Sequence, residues 1–145
     1  MPVMIIGADA VGGDEIVSAL KVDEREVRAF VSDLDRAKEL RSMGVKVAYG
    51  DVSDDSHIET ACTNCFSAVL LASAATDDRE RAFATEPGVV WSGWSRAVSN
   101  AGLNRAIWVT DETPPPTPEV TTVTVSPTIA GLGAEVARLD DLAEL

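Results

Sequence analysis

The sequence predicts an α/β fold: a doubly wound, mostly parallel sheet of about six strands with helices on both faces. Three observations carry this. Short apolar runs alternate along the chain with stretches whose apolar residues recur at helical spacing. The apolar runs show little polar alternation, as expected of strands buried on both sides. The first run ends in a glycine-rich turn, Gly7-Ala8-Asp9-Ala10-Val11-Gly12-Gly13, which leads into a helical pattern. Strand, glycine turn and helix in that order are the opening unit of a Rossmann-like domain.

The elements follow in order. Val3, Met4, Ile5 and Ile6 form a strand ended by Gly7. A helix starts near Val11 or Gly12 and runs to Lys21, with Ile16, Val17 and Leu20 facing inward. Residues 27–31 are a second strand. Asp33 or Asp35 can cap the next helix, in which Leu34, Ala37, Leu40 and Met43 share a stripe and which Gly44 ends. Residues 45–49 are a third strand. Ser53 or Asp54 caps a short helix through Ile58 and Ala61, and residues 66–72 are a strongly apolar fourth strand. Residues 73–88 read as a polar loop or short helix ended by Pro87-Gly88. A helix over 91–101 ends at Gly102, and a fifth strand spans 106–110. Pro114-Pro115-Pro116-Thr117-Pro118 is stiff and extended, with no room for a helix. Residues 120–125 are a sixth strand, rich in Thr and Val. Its direction is open: parallel if the proline segment returns extended along the sheet, antiparallel at the edge otherwise. The last helix starts near Gly131, with Leu132, Val136, Leu139 and Leu142 on one stripe.

At 145 residues the chain is expected to form a single domain spanning 1–145. Its apolar content of 46% and charged content of 25% are those of a globular protein. The formal net charge of −12 repels nucleic acid and anionic membrane surfaces. No apolar run reaches the roughly 18 residues of a membrane span, and no signal peptide is evident. These features point to a cytoplasmic protein with two reduced cysteines.

The turn carries the first candidate site. Its glycines allow a tight bend, close approach to a pyrophosphate and close helix–strand packing, and the helix N-terminus favours an anion. G-x-G-x-x-G would use Gly7, Asp9 and Gly12; G-x-x-G-x-x-G would use Gly7, Ala10 and Gly13. Both keep the outer glycines and lose the middle one. Ala10 adds a methyl group, whereas Asp9 adds a carboxylate. Two negative charges about 5 Å apart repel by about 3 kcal/mol at an effective dielectric of about 20. Asp9 is therefore expected to weaken the phosphate site.

Other motifs carry less. Cys62-Thr63-Asn64-Cys65 has redox spacing but lies at the end of a helix, and no second pair exists for zinc. Buried, inert thiols are the expectation, and no metal site is expected. His57, the single histidine, is expected on the surface. Trp91 and Trp94 lie three apart on one helix face, and Trp108 is the third tryptophan. Buried, Trp91 and Trp94 are core; exposed, they offer a homodimer face.

Further stretches add a resemblance. Val27-Arg28-Ala29-Phe30-Val31-Ser32-Asp33 is followed by Arg36-Ala37 and Leu40, then Gly44-Val45-Lys46-Val47 and Gly50-Asp51-Val52-Ser53-Asp54. With the turn, residues 3–72 resemble the atypical short-chain dehydrogenase/reductases of the NmrA-like kind. The likeness resumes more weakly at Ala101-Gly102-Leu103-Asn104-Arg105-Ala106-Ile107-Trp108-Val109 and at Ser126-Pro127-Thr128-Ile129-Ala130-Gly131. It implies NAD or NADP binding. Gly7, Ala8, Asp9, Ala10, Val11, Gly12 and Gly13 would hold the pyrophosphate. Ser32 and Asp33 would face the adenosine ribose, and NADP-preferring relatives often carry Arg where Ser32 stands. Asp51 and Val52 would line the adenine, and Ala72 and Ser73 would pass near the nicotinamide ribose. A shorter resemblance is to potassium-channel and transporter regulatory domains, which bind nucleotides and signal.

The departures are as informative. Catalytic members of the family use a Tyr-x-x-x-Lys pair, the tyrosine as acid/base. The one tyrosine is Tyr49, in the third strand, and no lysine follows Lys46. The helix that would carry the pair falls where the proline segment lies. The expectation is therefore a dinucleotide-binding protein that is non-catalytic, redox-sensing or regulatory. The alternatives are a ligand-free scaffold acting as a homo-oligomeric interaction module, and an oxidoreductase using residues outside the usual dyad.

Overall fold

A computed structural model describes residues 2–22 and 25–143. Six strands form one sheet: β1 (Val3–Ile6), β2 (Val27–Val31), β3 (Lys46–Tyr49), β4 (Ser67–Leu71), β5 (Arg105–Val109) and β6 (Thr121–Val125). Among the described residues there are five α-helices: α1 (Gly13–Val22), α2 (Leu34–Ser42), α3 (Asp55–Ala61), α4 (Pro87–Asn100) and α5 (Leu132–Ala143). The order across the sheet is β3-β2-β1-β4-β5-β6, and every pairing is parallel. This is the Rossmann-like order, in which the sequence of strand addition reverses between β1 and β4.

The two-residue period of a strand divides the core. On β1, Val3 and Ile5 pack with Ile16, Val17 and Leu20 of α1 and with Leu132 and Val136 of α5. Met4 and Ile6 face the other way, toward Ile58 of α3 and Val90, Trp94 and Val98 of α4. Trp94 is fully buried, stacks on Trp108 with ring centroids 6.1 Å apart, and donates from Nε1 to the Val52 carbonyl at 2.7 Å. The two tryptophans thus tie α4, β5 and the β3–α3 turn into one layer.

Packing decides one open point and corrects several expectations. β6 is parallel to β5, so the proline segment does return extended along the sheet. It is held to α4 by Ser99 Oγ donating to the Pro118 carbonyl and by Thr117 against Ser95. Pro87 does not end a loop but opens α4, where its missing N–H costs nothing. The fourth strand stops at Leu71, and Ala72–Ala75 curl into a 3-10 turn. Leu34 of α2 and Met43 at its C-cap are exposed, as is Leu142 of α5. On α5 the buried neighbour is instead Asp140, which meets Arg25 at 3.2 Å and accepts from Ser67 Oγ. No helix among the described residues is long and apolar enough to cross a membrane.

Candidate functional site

The turn between β1 and α1 is closed by hydrogen bonds from Ala10 N to Gly7 O and from Gly13 N to Ala10 O. Gly7 has φ +80°, a left-handed value that favours glycine. At Gly13 a Cβ would lie 1.9 Å from the Ala8 carbonyl oxygen, so the helix can approach the strand only without one. Ala8 is buried, whereas Val11 at the tip is 90% exposed. The turn therefore presents its outer edge to solvent at the C-terminal end of the sheet, where ligands of such folds sit.

Asp9 does not point out to repel an incoming phosphate. Its side chain is only 4% exposed. One carboxylate oxygen accepts from Ser32 N at 2.9 Å and Asp33 N at 3.1 Å, just past the end of β2. The other accepts from Arg79 Nη1 at 2.8 Å. The expected repulsion is thus offset by a partner 70 residues away in sequence. Arg79 is itself gripped by Asp77 through Nε at 2.8 Å and Nη2 at 2.7 Å. Burial alone would lower the Arg79 pKa, but Asp77 and Asp9 raise it, so the guanidinium stays charged. Burial likewise opposes ionisation of Asp77, yet Arg79 holds its carboxyl below the usual range.

Arg79 lies in the irregular segment 76–86 between the 3-10 turn and α4. That segment crosses the end of the sheet and is pinned at three further points. Arg81 donates to the Ala74 carbonyl at 3.0 Å, Ala82 N to Asp51 Oδ2 at 2.7 Å, and Phe83 N to Ser53 Oγ at 3.0 Å. Asp51 Oδ1 also accepts from Ser53 N and Oγ. Although burial pushes the Asp51 pKa up, these bonds bring it below the usual carboxylate value. Between this segment and the end of β3 lies a cleft of about 450 Å³, lined by Ser32, Tyr49, Gly50, Asp51, Arg79 and Glu80.

The structure thus brings Gly7, Asp9, Ser32, Asp33 and Asp51 to one edge. Asp33 is exposed, and its Oδ1 caps α2 by accepting from Asp35 N at 3.0 Å. Val52 is fully buried and offers no side chain to the cleft. Ala72 and Ser73 lie apart from the others, at the ends of β4 and β5. They line a smaller pocket of about 260 Å³ with Trp91, Thr110, Asp111 and Glu112. Arg79 was not legible as a site residue. It sits in an acidic run, Asp77-Asp78-Arg79-Glu80-Arg81, without periodicity, and only its partner across the turn gives it a role.

The remaining candidates fall elsewhere. Cys62 and Cys65 are buried free thiols, and burial pushes the Cys62 pKa up to about 12, far from a reactive thiolate. His57 is half-buried rather than surface-exposed, edge-on to Phe30 with ring centroids 4.9 Å apart. Of the two readings of the Trp91/Trp94 face, burial favours the core. Trp94 is in the core, and Trp91 is half-buried with Nε1 donating to the Ala72 carbonyl at 3.1 Å. No group of three or more His, Cys, Asp or Glu among the described residues is placed to hold a metal.

A sequence-family profile described as NAD(P)H-binding matches residues 7–129, from the glycine turn to beyond β6. The chain belongs to this NAD(P)H-binding family. The resemblance read from the residues is borne out. No curated protein sequence matches the chain. Among solved structures, Citrobacter sp. triphenylmethane reductase complexed with NADP(H) matches with a TM-score of 0.62 at 17% identity, over 75% of this chain and 37% of that one. The anaerobillin reductase of Escherichia coli O157:H7 matches at 0.59 and 25% identity, over 76% and 50%. A Veillonella parvula short-chain dehydrogenase/reductase in complex with NADP matches at 0.58 and 18%, over 75% and 46%. The NAD(P)H-binding chain spans half or less of the length of these three.

Proposed function

We propose that this chain binds a nicotinamide dinucleotide along the edge from Gly7 to Asp51 and acts as a redox-sensing or regulatory module rather than a conventional reductase. The observation that carries the reading is the unequal furnishing of the two ends. The turn backbone, Ser32, Asp33 and the cleft beside them would face an adenosine and a pyrophosphate, with Asp9 and Asp51 fixing the segment around them. The opposite pocket, where Ala72 and Ser73 would meet the nicotinamide ribose, is flanked by the helix-free crossover instead of a helix bearing Tyr-x-x-x-Lys. Thr110, Asp111 and Glu112 there offer no phenol held by an ammonium to pass a proton. In the cytoplasm such a module would report the reduced fraction of the nucleotide pool through its occupancy.

The test is calorimetric titration with NADH, NADPH and their oxidised forms, together with a turnover assay using quinone and carbonyl acceptors. Binding with no turnover is the expected outcome. Absence of binding at millimolar nucleotide overturns the dinucleotide reading, and oxidation of NAD(P)H by any acceptor overturns the non-catalytic one. A ligand-free scaffold is favoured by one observation: Asp9 and Asp51 already spend their carboxylates on the 76–86 segment. The same titration decides between them.

A further inference from the structure

Three donors converge on the Asp9 carboxylate: the Ser32 and Asp33 backbone N–H groups and the Arg79 guanidinium. Two backbone amides and an arginine are a donor set suited to a phosphate. They meet at the end of β2, and Ser32 and Arg79 both line the 450 Å³ cleft. Ser32 Oγ, shut off from solvent, has no hydrogen-bond partner among the described residues, so a fourth donor stands unspent beside the other three. The grouping is thus an anion site whose occupant is a side chain of the same molecule.

We infer that Asp9 fills from within the place where the 2′-phosphate of NADP would be received, so that the Asp9–Arg79 pair makes the chain select NAD(H) over NADP(H). The inference rests on the dinucleotide reading and assigns its specificity. Arg79 cannot be redirected cheaply, because Asp77 and Asp9 already share it. A 2′-phosphate would arrive with nearly two negative charges beside Asp9, Asp33, Asp51 and Glu80, with Arg79 and Arg81 as the nearby cations. The free 2′-hydroxyl of NAD is neutral and can donate to a carboxylate oxygen, so the acids that repel one nucleotide accept the other. Asp9 and Arg79 are specificity-determining residues here, not catalytic ones.

The test compares NADH and NADPH affinities of the full chain in three forms: wild type, Asp9→Gly, and Asp9→Gly with Arg79→Gln. Wild type is expected to favour NADH by about tenfold or more, the scale of one charge-assisted contact. Asp9→Gly empties the site and is expected to move the ratio toward NADPH by about tenfold or more, and adding Arg79→Gln to take back most of that shift. Inorganic phosphate supplies an arm independent of the dinucleotide: it should raise the melting temperature of Asp9→Gly and leave wild type unchanged. If Asp9→Gly melts below the assay temperature, Asp9→Ser takes its place with the same expectations. A wild type that prefers NADPH, or a ratio that Asp9 substitution leaves unmoved, overturns the selection. Equal phosphate response in variant and wild type overturns the anion site itself. If neither nucleotide binds any form while phosphate still stabilises the variant alone, the dinucleotide reading fails and the anion site stands.

Discussion

The two ends of the ligand-facing edge of this sheet are built differently. At the β1–β2–β3 end, Asp9, Asp51 and Asp77 are engaged by Arg79, Arg81 and backbone amides, in contacts that span up to 70 residues of sequence. At the β4–β5 end, Asp111 and Glu112 are exposed on a proline-stiffened crossover that is held to α4 only further along, at Thr117 and Pro118. The contrast separates two tasks that a dinucleotide enzyme performs together. Under the proposed reading, holding a nucleotide falls to the first end, whose polar groups these contacts fix in place. Moving a hydride would, under the same reading, fall to the other end, where the crossover offers Asp111 and Glu112 but no tyrosine–lysine pair.

The comparison can be broken at several points, which differ in expected effect. Gly13→Ala places a Cβ against the Ala8 backbone, which cannot move without distorting β1. It should cost about 3 kcal/mol by chemical denaturation. Arg79→Gln in the wild type leaves Asp9 and Asp77 without their shared cation. Arg79 is 12% exposed, so the loss should be about 2 kcal/mol, below that of a fully buried pair. Faster amide exchange at Ala82 and Phe83 would show that the 76–86 segment has loosened, and unchanged exchange would count against its being pinned by Arg79.

Acid offers a graded version of the same test. The folded-state pKa values of Asp51 and Asp77 are depressed below the ordinary 3.8. Their contribution is therefore fully present above that value and is lost as pH falls through the folded values. Protection of the Ala82 amide should hold down to about pH 5 and fall away below the ordinary carboxylate range. At the other end, Asp111→Asn and Glu112→Gln should change stability by under about 0.5 kcal/mol and leave NADH affinity unaltered. A large effect there would show that the β4–β5 end is more than a bare edge.

Much of the architecture was legible because its causes are local. A four-residue apolar run before Gly7, Asp33 and Asp54 at helix starts, and Gly44 and Gly102 after helix ends each act within a turn or two. The glycine turn was legible as a pattern for the same reason, since Gly13 answers to the Ala8 backbone, although Gly7 also packs against Leu71 and Ala74 at the end of β4 and in the 3-10 turn. Trp94 shows the limit. Its spacing from Trp91 places both on one helix face, but only the packing of α4 over β5 shows that this face is turned inward.

By itself, the sequence determined the alternation of strands and helices, the glycine turn and the absence of Tyr-x-x-x-Lys from the crossover. Those depend on residue types and their spacing. Only the tertiary structure decided that β6 runs parallel and that Asp9 is held by Arg79 and two backbone amides rather than turned out to solvent. Only it showed that Arg79 belongs to the site. A charge acts through space on whatever lies within a few ångströms. In this fold, what lies that close to Asp9 comes from the end of β2 and from a loop beyond β4, which no local pattern brings together.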